Sequence, residues 1–151
     1  MEKLIIRQAV SADMEVLRSV FRRSSLSNGG DRATLLANPD VLELSDVAIE
    51  EGRTRVATVD GRIVGFVSTV TSDDVVELDD LFVEPDWMRK GIGNRLVLDV
   101  VEMAGRTGAR RLEVTANPHA LAFYENAGFV FDHNVETRFG SAPRMFRPVV
   151  P

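Results

Sequence analysis

The sequence contains no cysteine, which excludes disulfide bonds, thiolate metal sites and cysteine nucleophiles. It has two histidines, His119 and His133, which are too few for a zinc site built from imidazoles. No stretch is apolar for long enough to cross a bilayer, and the N-terminal MEKLIIRQAV lacks the apolar run of a signal peptide. We therefore expect a cytoplasmic protein without a bound metal ion and without a membrane among its partners.

Positive charge is also in short supply. Lys and Arg number 18 against 23 Asp and Glu, so the net charge is −5. This balance argues against non-specific binding of nucleic acid, although it leaves room for a local basic pocket. The 151 residues are 44% hydrophobic and 27% charged, which fits one domain with a buried core. Since no repeat or long linker divides the chain, we expect a single domain over residues 1–151.

Seven apolar segments bounded by turn residues predict β-strands, at residues 4–7, 53–59, 62–70, 75–83, 111–115, 130–136 and 144–149. About four helices are expected: one capped by Ser11, a short one capped by Asp31 and stopped by Asn38-Pro39, one that follows Gly93, and one from Asn117 to Gly128. Residues 22–32 are predicted as a loop and residues 139–143 as a turn. This order, an antiparallel meander and then strand–helix–strand–helix, predicts an α+β fold with a mixed sheet.

The strand at residues 75–83 has a break in its alternation. Val76 and Leu78 share one parity along the chain, whereas Leu81 and Val83 share the other, and Asp79-Asp80 lies at the change. One extra residue there, a β-bulge, would return all four apolar side chains to one face. We favour a bulge over a frayed strand because the apolar run resumes at once.

The stretch WMRKGIGNRL, residues 87–96, places two glycines and two cations at the start of a helix. Glycine leaves backbone N–H groups uncovered and the helix dipole adds positive potential there, a combination that suits a phosphate. The alternative is a plain turn whose cations face water. A P-loop is excluded because no Gly-Lys pair occurs, and the G-x-G-x-x-G fingerprint fails because Leu96 occupies the third glycine position.

Two motifs together resemble the GNAT superfamily of N-acetyltransferases. The stretch ELDDLFVEPDWMRKGIGNRL is similar to the fourth strand and pyrophosphate loop of that family, Q/R-x-x-G-x-G/A. One helix and one strand later, ANPHALAFYENAGF is similar to the family's Asn…Ala-x-x-Phe-Tyr-x-x-x-Gly-Phe motif. The order of elements matches the GNAT fold along nearly the whole chain, which implies parallel strands 4 and 5 that splay apart. One departure is Met88, which occupies the Gln/Arg position.

The resemblance implies acetyl-CoA as the cosubstrate. Its pyrophosphate would be held by the loop residues Arg89, Lys90, Gly91, Ile92, Gly93 and Asn94, chiefly through backbone amides, with the helix dipole behind them. The backbone of Leu81, Phe82 and Val83 would pair with the pantetheine arm where the two strands splay apart. Asn117 would bond the cofactor amide, a role that is compatible with capping the helix that follows.

The resemblance also suggests catalytic residues. Tyr124, the only tyrosine, occupies the place of the family's general acid and would contact the cofactor; the alternative is a core residue on an apolar helix face. Glu77 lies fourteen residues before Gly91, as does a glutamate base in histone-type members. Asp79, Asp80 or a chain of waters are alternative bases. Backbone N–H groups near Val83 are expected to stabilise the oxyanion.

The implied activity is direct transfer of the acetyl group of acetyl-CoA to a primary amine of a small molecule or peptide. The alternative is a non-catalytic CoA-binding module of the same fold, acting as a sensor or assembly domain. Residues 22–32 and 136–143 are expected to shape the acceptor pocket. Seven acidic residues among residues 73–86 fit a solvated edge better than a wall that attracts a cationic amine. A homodimer is the expected assembly.

Overall fold

The computed structural model describes residues 3–149. In this range it has seven strands: β1 Leu4–Gln8, β2 Thr54–Val59, β3 Arg62–Ser72, β4 Val75–Val83, β5 Arg111–Thr115, β6 Val130–Thr137 and β7 Gly140–Pro148. The same range has five α-helices: α1 Met14–Leu26, α2 Gly29–Ala37, α3 Val47–Glu50, α4 Ile92–Arg106 and α5 Leu121–Asn126. One-turn 3₁₀ helices occupy Ser11–Asp13, Pro39–Leu42, Pro85–Trp87 and Pro118–Ala120.

The strands form one mixed sheet in the order β1-β2-β3-β4-β5-β7-β6. The pairs β1–β2, β2–β3, β5–β7 and β6–β7 are antiparallel. The pair β4–β5 is parallel, with Val75–Leu78 beside Arg111–Val114, and α4 lies between these strands in the chain. The predicted α+β class and the antiparallel meander are thereby confirmed.

Backbone contacts divide the chain into two compact units. The first unit comprises the described residues up to Ser68 together with Asp80–Leu96. The second unit comprises Thr69–Asp79 together with the described residues from Val97 onward. Strands β3 and β4 and helix α4 each contribute residues to both units. The expectation of a single domain stays a prediction.

The core of the first unit is built by α1 and the first strands. Met14, Leu17 and Val20 recur at helical spacing, and all three side chains are buried. They belong to a cluster with Val56 and Phe66 of the adjacent strands. At the β2–β3 turn, Asp60-Gly61 has φ values of 50° and 82°, the left-handed geometry that matches the twist of a two-residue hairpin, as the sequence predicted.

The second unit has buried side chains on α4, α5, β5 and β7. Its fully buried side chains include Val97 and Val100 from α4, Leu112 from β5 and Met145 from β7. Gly128 follows α5 with φ 92°, a backbone that side chains rarely adopt, so glycine is required there as predicted. Among the described residues, none of the helices combines the length and apolar character needed to span a bilayer.

The start of the first helix differs from the prediction. Ser11 does not cap α1 but begins the 3₁₀ turn Ser11–Asp13, whose N-cap is Val10. The carboxylate of Asp13 accepts the Val10 N–H at 2.8 Å and also pairs with Arg7 at 2.8 Å. A charged acceptor that is held by a cation satisfies this helix entrance better than a serine hydroxyl does.

Three further predictions were wrong. The expected loop at residues 22–32 is mostly helix, because α1 continues to Leu26 and α2 begins at Gly29. The cap of α2 is Asn28, whose side chain accepts the Gly30 N–H at 3.0 Å, and not Asp31. The expected turn at residues 139–143 is strand, because β7 begins at Gly140 and pairs with Thr137. The bulge at Asp79-Asp80 stays a prediction.

Candidate active site

The stretch expected to bind phosphate links β4 to α4 in the first unit. Arg89 and Gly91 have left-handed backbones, with φ 63° and 81°, immediately before α4 begins at Ile92. Left-handed residues next to right-handed ones turn successive N–H groups toward one point, which is an anion-binding geometry. The amides in the first turn of α4 add to it, since no helix carbonyl precedes them to accept their hydrogen bonds.

The residues of this loop differ in their exposure to solvent. Arg89, Lys90 and Asn94 are exposed, whereas Ile92 and Gly93 are buried. The Lys90 ammonium lies 4.6 Å from the centroid of the Trp87 ring, a cation–π contact. Arg89 and Lys90 can therefore add charge beside a bound phosphate. Met88, which occupies the Gln/Arg position of the motif, is 38% exposed.

Glycine in the middle of β3 lets the end of β4 and the start of α4 approach closely. A Cβ atom at Gly65 would lie 3.0 Å from the carbonyl oxygen of Phe82. It would also lie 3.3 Å from Ile92 Cγ2 and 3.4 Å from Leu96 Cδ1. Sequence reasoning missed Gly65, although an isolated glycine inside a strand often marks a close approach of backbones.

The end of β4 is anchored by an aromatic side chain. The Phe82 ring lies 4.8 Å from that of Phe21, edge to face, and 5.7 Å from that of Phe66. The Phe82 side chain therefore belongs to the core of the first unit, and its backbone is the part that a cofactor could use. The β4–β5 register covers Val75–Leu78, and β4 continues to Val83 beyond those paired residues.

In the second unit, Asn117 is the N-cap of the 3₁₀ turn Pro118–Ala120, and capping is one of its two predicted roles. Its side chain accepts the His119 N–H at 2.9 Å, and its carbonyl accepts the Ala120 N–H at 2.8 Å. His119 itself is exposed, and His133 on β6 is 58% exposed beside Asp132. Within residues 3–149, no three or more His, Cys, Asp or Glu side chains are grouped as ligands of a metal ion would be.

Tyr124 is a buried member of an aromatic group on and after α5. It is 8% exposed, and its ring meets those of Phe123 at 5.0 Å and Phe129 at 5.3 Å, both edge to face. Burial raises the pKa of Tyr124 to about 12, because the phenolate would lose its hydration. The phenol therefore keeps its proton throughout the physiological range. This is the protonation state of a donor, and the packing is that of a core residue.

Glu77 on β4 faces Arg144 on β7, two strands away in the sheet. The guanidinium of Arg144 donates to both carboxylate oxygens of Glu77, to Oε2 at 2.6 Å. It also donates to Thr115 Oγ1 at 3.0 Å and to Glu113 Oε1 at 3.3 Å. The hydrogen bonds that Arg144 donates to Glu77 outweigh the cost of burial and raise the pKa of Arg144 above its usual range. Sequence reasoning missed Arg144, because 67 residues separate it from Glu77.

This charged cluster lines a surface cavity of about 600 Å³ within the second unit. The charged residues of the lining are the acids Asp73, Asp74, Glu77 and Glu113 and the cations Arg110 and Arg144. Arg110 pairs with Asp74 at 3.0 Å. Of the alternative bases, Asp80 accepts the hydroxyl of Ser68 at 2.5 Å, and Asp79 is exposed.

Comparison with known proteins identifies relatives. The family model of the GNAT acetyltransferase domain matches residues 40–142. The N-acetyltransferase YjgM of Escherichia coli is 30% identical over 135 residues, covering 83% of this chain and 81% of YjgM. The N-acetyltransferase MJ1207 of Methanocaldococcus jannaschii is 34% identical over 84 residues, covering 49% of this chain and 37% of MJ1207.

A solved structure with the same fold is the PaiA N-acetyltransferase of Thermoplasma acidophilum in complex with coenzyme A. The TM-score is 0.75 at 20% identity, and the alignment covers 97% of this chain and 99% of PaiA. At this identity the likeness shows the fold. The match to MJ1207 spans less than half of that protein's length.

Proposed function

Because the chain belongs to the GNAT acetyltransferase family and is an acetyl-CoA-dependent N-acetyltransferase, we propose that it transfers the acetyl group directly to a primary amine in a ternary complex. The observation that carries this proposal is the loop before α4, where left-handed residues Arg89 and Gly91 precede a helix N-terminus. Such a loop supplies backbone donors to a pyrophosphate without needing a metal ion.

The proposed cofactor site begins with that loop. The backbone of residues 89–94 holds the pyrophosphate, and the exposed side chains of Arg89 and Lys90 add positive charge. The backbone of Leu81, Phe82 and Val83 pairs with the pantetheine arm as an added strand would. Support comes from the register, since β4 continues beyond the residues that pair with β5. Asn117, besides capping its turn, contacts the cofactor amide.

Three groups are proposed for the chemistry. The amine must lose a proton, the carbonyl oxygen must be stabilised as charge develops on it, and the departing thiolate needs a donor. Backbone N–H groups near Val83 stabilise the oxyanion. Tyr124 donates to the sulfur, and its pKa of about 12 keeps it protonated. Because a free thiol has a pKa of about 8.5, well below that of Tyr124, the phenol acts by donating a hydrogen bond to the departing thiolate.

Glu77 is the proposed base, with Asp79, Asp80 and a chain of waters as the competing routes. Its side chain is 31% exposed at the cavity of the second unit, so an amine can reach it. Both of its oxygens accept hydrogen bonds from Arg144, so at least one of these bonds must open before Glu77 can take a proton. That residues 22–32 and 136–143 shape the acceptor pocket stays a prediction.

The assembly is proposed to be a homodimer. Strand β6 is at one end of the strand order, and its Val130 and Phe131 are 52% and 49% exposed. An edge strand with exposed apolar side chains is commonly covered by another chain, and a second copy is the proposed partner. The molar mass in solution, measured by light scattering, tests this. A cytoplasmic location is proposed because acetyl-CoA is supplied there.

The cofactor assignment is tested by ligand-dependent stability. A ligand that binds only the native state at 100 times its dissociation constant adds about 2.7 kcal/mol of stability. For a chain of this size that corresponds to roughly 5–10 °C in Tm. CoA and acetyl-CoA are expected to give this shift, and NAD and ATP at equal concentration are the controls. A larger stabilisation by ATP than by CoA would overturn the assignment.

The ternary complex is tested by initial velocities. Direct transfer predicts intersecting double-reciprocal lines when both substrates are varied, because each affects the slope measured for the other. An acetylated enzyme intermediate would give parallel lines instead. Parallel lines, with an acetyl group recovered on the protein, would contradict direct transfer and leave CoA binding intact.

A further inference from the structure

A carboxylate is buried at the junction between β4 and the phosphate loop. Glu84 is 3% exposed and lies between Val83, the last residue of β4, and Pro85, the first residue of the 3₁₀ turn. Among the described residues, the buried charged residues are Asp13, at 8% exposed, and Glu84. Removing a carboxylate from water is costly unless a cation and hydrogen bonds compensate it. The contacts of Glu84 therefore call for an explanation.

Every polar group of Glu84 has a partner in the first unit. Its carboxylate accepts two hydrogen bonds from Arg23 on α1, from Nε at 2.6 Å and from Nη2 at 2.6 Å. Its backbone N–H donates to the Val64 carbonyl on β3 at 2.8 Å. Its own carbonyl accepts the Trp87 N–H at 2.8 Å. One residue thus ties a helix, a strand and the first turn of the loop together.

Stability alone is a weak reason for this arrangement. Apolar residues in place of a buried ion pair are often as stabilising, or more so. The contact is, however, directional, because a forked guanidinium fixes both oxygens of the carboxylate. The neighbouring contact of Phe21 on α1 with Phe82 on β4 joins the same two elements but allows the rings to slide. The ion pair adds a fixed orientation at the residue where the strand becomes the loop.

We propose that Arg23 and Glu84 are positioning residues that hold the end of β4 and the phosphate loop in their binding geometry before CoA arrives. The proposal rests on the proposed cofactor site, since it assigns the loop amides and the backbone of Leu81–Val83 to CoA. Neither side chain touches the cofactor in this account. Their effect is to remove the ordering cost that a mobile loop would impose on binding.

The chain offers a matched control. Asp13 is also buried, at 8% exposed, and accepts a forked pair of hydrogen bonds from Arg7 at 2.8 Å and 3.1 Å. It lies in the same unit but precedes α1, far along the chain from the loop. Glu84→Gln and Asp13→Asn each neutralise one buried carboxylate with almost no change in volume. Any general effect of losing a buried ion pair is common to both variants.

The test compares CoA affinity with stability. Glu84→Gln is expected to weaken CoA binding by about tenfold, the size of a typical coupling through a packed contact. Asp13→Asn is expected to bind CoA as the wild type does, although both variants lower Tm. Hydrogen exchange of the amides at residues 91–94, measured without ligand, should become faster in Glu84→Gln alone. Equal CoA affinity and equal exchange in the two variants would overturn the proposal.

Two outcomes separate this inference from the cofactor assignment. If the wild-type protein fails to bind CoA, the assignment fails; if the wild type binds and Glu84→Gln binds equally well, only the positioning role fails. If Glu84→Gln does not fold, Arg23→Lys replaces it. Arg23 is 52% exposed, so its substitution disturbs little packing. The lysine ammonium of this variant keeps the positive charge but lacks the forked geometry of the guanidinium. Wild-type affinity in a folded Arg23→Lys, together with wild-type exchange of the loop amides, would equally overturn the proposal.

Discussion

Gly65→Ala adds one methyl group where the backbone of β3 lies close to the Phe82 carbonyl of β4. The new Cβ atom would lie 3.0 Å from the Phe82 carbonyl oxygen, which is a backbone atom and cannot rotate aside. The nearest side-chain atoms, on Ile92 and Leu96, lie at 3.3 Å and 3.4 Å, and both can shift by a few tenths of an ångström. The strain therefore falls mainly on β4, at the residue whose backbone is proposed to bind pantetheine.

Two effects of opposite sign set the size of the change. Overpacking a filled site costs about 1–3 kcal/mol. Replacing glycine inside a strand by alanine returns roughly 0.5–1 kcal/mol, because the unfolded chain loses freedom. The net expectation is a loss of about 1–2 kcal/mol of unfolding free energy, which corresponds to roughly 2–8 °C in Tm for a chain of this length. CoA affinity should fall as well, because the Phe82 carbonyl must move.

The assay is thermal or urea unfolding together with CoA titration, with Gly29→Ala as the control. Gly29 begins α2, its φ is not left-handed, and a Cβ atom there would meet nothing within 4 Å. Gly29→Ala should leave stability unchanged or raise it by up to about 1 kcal/mol, with CoA affinity unaffected. If Gly65→Ala is as stable as Gly29→Ala and binds CoA normally, the close approach at β3 does not position β4.

Further substitutions address the proposed roles one at a time. Tyr124→Phe should lower kcat by on the order of 10²-fold with little change in CoA affinity, measured by steady-state kinetics and by CoA titration. An unchanged kcat, with chemistry as the rate-limiting step, would remove Tyr124 from the mechanism. The pKa of Tyr124 is about 12 in the folded protein and near 10 in the unfolded chain, so the stability of the wild type should fall as pH rises from about 10 to 12. Urea unfolding at each pH should show a larger fall for the wild type than for Tyr124→Phe. Gly93→Val should abolish CoA binding in a protein that still folds, whereas Met88→Arg should keep or improve binding. Normal CoA binding by Gly93→Val in a titration would show that the loop is a simple turn with no role in binding. If Glu77 is the base, Glu77→Gln should lower kcat/KM by about 10²-fold or more. The control Glu113→Gln removes a carboxylate from the same cluster and should lower kcat/KM far less. Equal losses in the two variants would indicate that Glu77 has a purely electrostatic role.

The sequence predicts correctly those elements whose ends are set by neighbouring turn residues or by proline. The predicted and observed bounds of strand β4 agree because turn residues precede it and Pro85 follows it. The predicted and observed bounds of strand β5 also agree. Asp60-Gly61 predicts the β2–β3 turn because both residues tolerate positive φ. In each case the deciding residues lie within the element or next to it. Sequence alone was sufficient there.

What sequence reasoning missed depends on contacts between distant residues. The polar end of α1 carries no apolar period, and it is held in place by Arg23, whose partner Glu84 is 61 residues away. The cluster around Glu77 likewise depends on Arg144, which reaches β4 only because β7 lies beyond β5 in the sheet. Gly65 is required by the position of the Phe82 carbonyl, which no local pattern reveals. Pairings of this kind need the strand order, and the strand order is a property of the fold.

The central claim, catalysed transfer of an acetyl group to an amine, is tested most directly by release of free CoA thiol from acetyl-CoA across a panel of amines. The protein has no cysteine, so a thiol reagent reports CoA without any background from the enzyme. We expect amine-dependent thiol release that saturates in both substrates, with acetylated amine recovered in equal amount and with Tyr124→Phe as the impaired control. Saturable binding of acetyl-CoA without thiol release above the uncatalysed rate for any amine would contradict the claim and indicate a non-catalytic CoA-binding module.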